Sequence, residues 1–144
     1  VDRNFERLTP FAEELGAAGI RLSLFVEPDQ VQLEASKALG APVVELHTGT
    51  YCNTQLGSLE RDKTLAKIVD ASAHAERLGL ECHAGHGLGF ETVGPIAAIP
   101  SIVELNIGHF LIGEAIFGGL EITISQMRAL LDNSRADIID SCSP

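Results

Sequence analysis

At 144 residues, 45% of them hydrophobic, the chain is sized for one compact domain and falls well short of the roughly 250 residues of a closed (β/α)8 barrel. Ten Lys and Arg against 20 Asp and Glu leave a formal charge of −10, which disfavours nucleic-acid and anionic-membrane partners but not a small anion held by backbone N–H groups. Three cysteines, Cys52, Cys82 and Cys142, with no C-x-x-C pair and no signal-like or membrane-length apolar stretch, lead to the expectation of a cytoplasmic protein without a disulfide framework.

In chain order, Phe5, Leu8, Phe11, Leu15 and Ala18 recur at helical spacing and predict a helix that closes at Gly19, ahead of a strand over Ile20–Val26. Pro28 and Asp29 introduce a helix to about Leu39, with Val31, Ala35, Ala38 and Leu39 as its buried stripe. Val43–His47 reads as a second strand, followed by an irregular segment to about Leu59 and a helix on Leu65, Ile68, Val69, Ser72 and Ala75. A third strand is expected over Leu80–Ala84 and a short helix from about Glu91 to Ala98. The fourth strand covers Ile102–Ile107, a small helix Ile112–Phe117, and a last helix buries Leu120, Ile124, Met127 and Leu131. The polar tail from Asp132 is expected to fray.

No two strands are joined by a hairpin-length loop, and crossovers of this length favour parallel strands. The ends of Val26, His47, Ala84 and Ile107 then share the carboxyl edge of one sheet, where such folds place their chemistry. Four strand–helix units fit either part of a barrel or a small doubly wound sheet, and strand count does not choose between them.

Polar groups collect at that edge. Glu45 and His47 are two residues apart and so share a face of the second strand. A carboxylate and an imidazole there suit proton exchange, or equally an internal ion pair that ties down a loop. His83 and His86 flank a glycine turn; His86, within the turn, is the better acid–base candidate, and His83 reads more readily as a hydrogen-bonding partner inside the sheet. Gly108 and His109 open a turn before a short helix, a place where exposed N–H groups bind phosphate, and Gly87 adds a donor nearby; tight turns also account for these glycines. Neither spacing nor a cysteine partner selects a metal cluster of His47, His86 and His109, so no metal is expected. Cys52 has no defined base to make it a nucleophile, and His74 falls within a predicted helix. There is no dinucleotide fingerprint, Walker A loop, nucleophile elbow or H-E-x-x-H helix.

The blocks Arg21-Leu-Ser-Leu-Phe-Val, Val44-Glu-Leu-His-Thr-Gly, Ala84-Gly-His-Gly-Leu and Glu104-Leu-Asn-Ile-Gly-His-Phe-Leu-Ile-Gly together resemble the carboxyl-terminal portion of the pyridoxine 5′-phosphate synthase family, across nearly all of the chain. The resemblance implies a TIM (β/α)8 barrel, with about four carboxyl-terminal βα units spanning residues 1–144. It further implies condensation of 1-deoxy-D-xylulose 5-phosphate with 3-amino-2-oxopropyl phosphate, giving pyridoxine 5′-phosphate, phosphate and water, without a metal or organic cofactor. On this resemblance Glu45 and His86 are catalytic, Gly87, Gly108 and His109 bind substrate phosphate, and the full-length protein is a homo-oligomer. His83 stands where the family leads one to expect a smaller polar residue. The family's amino-terminal strands, with a further catalytic glutamate and histidine and basic phosphate contacts, have no counterpart in these residues. A related phosphate-binding isomerase or aldolase, and a noncatalytic half-barrel, are the alternative expectations.

Overall fold

The computed structural model describes residues 1–141, so Cys142 and the end of the tail lie outside the described residues. A 3-10 turn over Asp2–Asn4 leads into α1 (Phe5–Ala17). There follow β1 (Ser23–Val26), α2 (Gln30–Ala38), β2 (Val43–His47), α3 (Gly49–Cys52), α4 (Leu59–Arg77), β3 (Glu81–Gly85), α5 (Val93–Ala97), β4 (Ile102–Asn106), α6 (His109–Gly118) and α7 (Leu120–Ser141). The strands form one sheet in the order β1-β2-β3-β4, every neighbouring pair parallel. Sequential parallel strands joined by helices are consistent with a partial (β/α)8 barrel.

Local chemistry explains the element ends. Asp29 caps α2 by accepting from the Gln32 N–H, and Ser58 caps α4 by accepting from Arg61 N–H. Leu33, Val44, Leu46, Ile68, Ala75, Cys82, Ala84, Ile96 and Ile102 form the core, so the sheet buries one face under its helices. Phe25, Glu45, His83 and Asn106 occupy the opposite face.

The register departs from simple alternation once. Cys82 pairs with Ile102, yet His83 pairs with Glu104, which leaves Val103 as an extra residue on β4. This bulge reverses the parity of everything after it. Glu104 and Asn106 therefore lie on the face of His83 and Gly85, although uninterrupted alternation from the buried Ile102 would put them among the helices.

Several expected details are corrected. α1 has no fully buried residue and Phe11 is 61% exposed, because among the described residues its stripe meets little beyond the adjoining 3-10 turn. α2 buries Leu33 and Ser36 and leaves Val31 exposed, a rotation of the predicted stripe set by the sheet it must cover. The segment after β2 contains the short helix α3. α7 buries Thr123 and Met127 while Leu120 and Ile124 remain exposed. It also continues through Ser141 instead of fraying from Asp132, and Arg135 Nη2 donates to Ile102 O, anchoring it to β4.

Beneath the carboxyl edge a buried polar strut joins three segments. Arg61 Nη2 donates to Tyr51 Oη at 2.8 Å, the guanidinium lies 4.3 Å from the Tyr51 ring centroid, and Tyr51 Oη donates to Thr92 O at 3.1 Å. Burial also pushes the Tyr51 phenol above its ordinary value, so it stays a neutral donor. Tyr51→Phe removes the shared hydroxyl and leaves Thr92 O without its donor. It is expected to cost about 1–3 kcal/mol of stability, read as a lower urea midpoint at unchanged m-value.

Candidate functional site

At the carboxyl edge a pocket of about 610 Å³ is lined by Phe25, Glu45, His86, Gly87, Leu88, Asn106, Ile107, Gly108, His109 and Phe110. The five residues singled out from the sequence, Glu45, His86, Gly87, Gly108 and His109, thus come together although they span three strand ends. A slightly larger groove of about 630 Å³ runs between α2 and α4 past Val31, Lys67, Ile68 and Asp70. It contains none of the five, and its size alone gives it no chemistry.

Glu45 projects from the middle of β2, and its Oε2 accepts from Asn106 Nδ2 at 2.9 Å. The carboxylate crosses the sheet over Gly85: a Cβ on that residue would stand 2.2 Å from Glu45 Oε1 and 3.0 Å from Asn106 O. A side chain there would displace the carboxylate, so Gly85 leaves the space that the Glu45–Asn106 contact occupies. The β4 bulge brings Asn106 to the correct face, so the contact depends on both features.

His86 follows β3 with φ 78°, a left-handed conformation that costs a non-glycine residue, and Gly87 continues at φ 81°. What holds it is Thr48, fully buried at the end of β2. Its N–H donates to Gly85 O at 2.9 Å, and its hydroxyl lies 2.8 Å from Gly85 O and 2.7 Å from His86 O, so one proton serves two carbonyls. The His86 ring lies 4.8 Å from that of His47, centroid to centroid.

The third wall is the start of α6, with Gly108 at its N-cap and His109 as its first residue. The first N–H groups of a helix have no partner within it and point outward along the axis. Phe110 packs onto Gly89, where a Cβ would stand 2.9 Å from the ring, and meets Phe90 edge-on at 4.8 Å. That contact docks the helix start against the Gly87 loop.

His83 lies outside the pocket. Its Nε2 is 2.8 Å from Glu81 Oε1 and its Nδ1 3.3 Å from Glu104 Oε1, while Arg21 Nη2 reaches Glu81 Oε2 at 2.5 Å. The His83 and Arg21 hydrogen bonds hold the Glu81 carboxyl below its ordinary value. Among the described residues, no group of three His, Cys, Asp or Glu side chains is arranged to hold a metal ion. His47 and His86 are neighbours, but His109 does not complete a cluster with them.

A family model described as "Pyridoxal phosphate biosynthesis protein PdxJ" matches residues 1–133. The chain belongs to the PdxJ family. It is 60% identical over 125 residues to the pyridoxine 5′-phosphate synthase of Rhodospirillum rubrum, a match covering 87% of this chain and 50% of that protein. To the synthase of Zymomonas mobilis it is 55% identical over 132 residues, covering 92% and 51%. To that of Roseobacter denitrificans it is 51% identical over 138 residues, covering 94% and 55%. The chain spans about half the length of the curated relatives it matches.

In this PdxJ-family chain, sequence reasoning missed Thr48, Gly85 and Asn106 as parts of the site. Thr48 and Gly85 adjoin His47 and His86, and Asn106 lies two residues before Gly108, but only the cross-strand register shows what each touches. Cys52 is placed beside the site, its Sγ 3.7 Å from His86 O, and burial pushes its thiol up; Cys82, deeper, is pushed up to about 12. A raised thiol pKa means less thiolate, the reactive species, at neutral pH. Iodoacetamide labelling at pH 7.5, located by mass spectrometry, is therefore expected to leave Cys82 unmodified and to modify Cys52 more slowly than a free thiol. Rapid modification of Cys82 in the folded protein would contradict this. Gly85→Ala is expected to push the Glu45 carboxylate aside and break its bond to Asn106, seen as a loss of the 2.9 Å contact in the crystal structure of the variant.

Proposed function

We propose that residues 1–144 are the carboxyl-terminal half of a (β/α)8 barrel that, when complete, acts as a pyridoxine 5′-phosphate synthase. The reaction joins 1-deoxy-D-xylulose 5-phosphate to 3-amino-2-oxopropyl phosphate and yields pyridoxine 5′-phosphate, phosphate and water. The observation that carries this reading is the convergence of Glu45, His86, Gly87, Gly108 and His109 on one pocket in a chain 60% identical to a protein of that name.

The geometry suits the chemistry. Imine formation, enolisation, water loss and ring closure each move a proton, and a carboxylate and an imidazole facing one cavity can accept and return it. Glu45, held by Asn106, is assigned to stabilise and deprotonate the condensing intermediate, and His86 to donate a proton as phosphate or water leaves. The α6 N-terminus at Gly108 and His109, with the Gly87 backbone, is assigned to a substrate phosphate. Backbone donors explain how a chain of charge −10 attracts an anion without a lysine in the pocket. No metal or organic cofactor enters this scheme.

The working protein is further proposed to be a cytoplasmic homo-oligomer. Ile112, Ile116 and Phe117, all left exposed on α6, supply apolar surface for assembly. Among the described residues no helix is long and apolar enough to cross a membrane.

Joining this chain to the amino-terminal half of the Rhodospirillum rubrum relative gives a complete barrel in which to test the reading. The chimaera is expected to form pyridoxine 5′-phosphate from the two phosphorylated substrates, and the isolated chain to form none. A folded chimaera that makes no product would refute the assignment. Within it, Glu45→Gln and His86→Asn are each expected to lower kcat by about 100-fold or more while phosphate-ligand affinity stays within a few-fold. Unchanged turnover in both would remove their catalytic roles.

A further inference from the structure

His47 closes β2 on the pocket side of the sheet, yet it is not among the residues that line the pocket. Its Nδ1 lies 2.8 Å from Glu27 Oε1. An ionised carboxylate only accepts, so in the neutral imidazole this contact places the His47 proton on Nδ1 and leaves Nε2 as the lone-pair nitrogen. Nε2 in turn faces Gly49. A Cβ on Gly49 would stand 2.7 Å from His47 Nε2, 3.0 Å from His47 Cε1 and 2.9 Å from His86 Cδ2.

Both imidazoles therefore rest on one residue that has no side chain. Phe25 completes the enclosure, meeting His47 edge-on at 5.2 Å and lying 6.4 Å from His86. Gly49 has no positive φ, so its role is clearance alone.

We propose that Glu27, His47 and Gly49 form a positioning chain for His86. The carboxylate fixes the tautomer and tilt of His47, and the His47 ring is the wall against which the His86 imidazole finds one orientation. This deepens the reading of His86 as a proton donor and rests on it. The Thr48 hydroxyl sets the His86 backbone, but a backbone at φ 78° still permits several side-chain rotamers, and only a neighbouring wall selects among them. A general acid must meet its acceptor within hydrogen-bond reach, and misplacement by about 1 Å can cost on the order of 100-fold in rate. The Glu27 carboxylate is 64% exposed, so its bond to His47 orients the ring and adds little to stability.

The test uses the completed barrel described above. His47→Asn removes the wall and is expected to lower kcat by roughly 10- to 100-fold with KM within about threefold. Glu27→Ala, an exposed change that leaves the core intact, should give a smaller loss of the same kind. Glu27→Gln, whose amide oxygen still accepts from Nδ1, should restore turnover to within about threefold of the unsubstituted protein.

Nitrogen-15 spectra of the imidazoles give a readout that does not depend on turnover. His47 should be Nδ1-protonated in the unsubstituted protein and in Glu27→Gln, and should shift toward the Nε2-protonated form in Glu27→Ala. Proton cross-relaxation between the His47 and His86 rings should be present in the first two. Absence of product from the folded, unsubstituted barrel would sink the synthase reading while the spectra still decide the positioning chain. Unchanged kcat in both His47→Asn and Glu27→Ala, an Nε2-protonated His47, or no contact between the two rings would overturn the proposal. A His47→Asn loss that appears in KM instead would make His47 a substrate contact, which also overturns it.

Discussion

The candidate site is organised by one buried hydroxyl. Thr48 Oγ1 and N–H together bond Gly85 O and His86 O, extending the pairing of β2 and β3 one step past the strands. That extension prevents the two loops from separating. It also holds His86 in a backbone conformation that a free chain would leave, with the strain offset by burial of a fully satisfied threonine. The same turn starts α3, which places Gly49 under two imidazoles and Tyr51 on the Arg61 strut. One side chain of modest size therefore links the sheet edge, the turn that carries His86 and the helix layer below.

A second constraint is the division of labour between the faces of the sheet. The helix-covered face is apolar, and the other carries Phe25, Glu45, His83, Glu104 and Asn106. The polar groups on that face pair with one another: Asn106 serves Glu45, while Arg21, Glu81, His83 and Glu104 form a separate network lower in the sheet. His83, which departs from the residue expected by resemblance, is accommodated because each of its ring nitrogens faces a carboxylate. The two polar groups of residues are distinct, so His83 shapes the sheet without entering the pocket.

Much of the fold was legible beforehand. The four strands, their parallel direction and their shared carboxyl edge follow from apolar runs separated by helix-length crossovers, and β2 falls on Val43–His47 as read, whereas the strand order is set by the structure. The helices were found more reliably than their buried faces, because periodicity gives a stripe while the sheet beneath decides which neighbouring stripe is covered. Val31 and Ile124, both exposed, show the size of that error. The pocket residues were legible partly from position, Glu45 on one face of β2 and His86, Gly87, Gly108 and His109 in turns beyond strand ends, and partly from the resemblance of the surrounding blocks to one family.

What the sequence determined by itself was composition, element order and membership of blocks characteristic of one family, since these depend only on which residues occur and at what spacing. What the tertiary structure decided was every relation across strands. The β4 bulge turns Asn106 toward Glu45, against the parity that alternation implies. Gly85 matters for the space it leaves to the Glu45 carboxylate and Gly49 for the space it leaves to the His86 imidazole beside its near neighbour His47, clearances set by residues distant in the chain. Such contacts have no local signature, because steric clearance is fixed by the neighbour that folding brings up and leaves no periodicity in the chain itself.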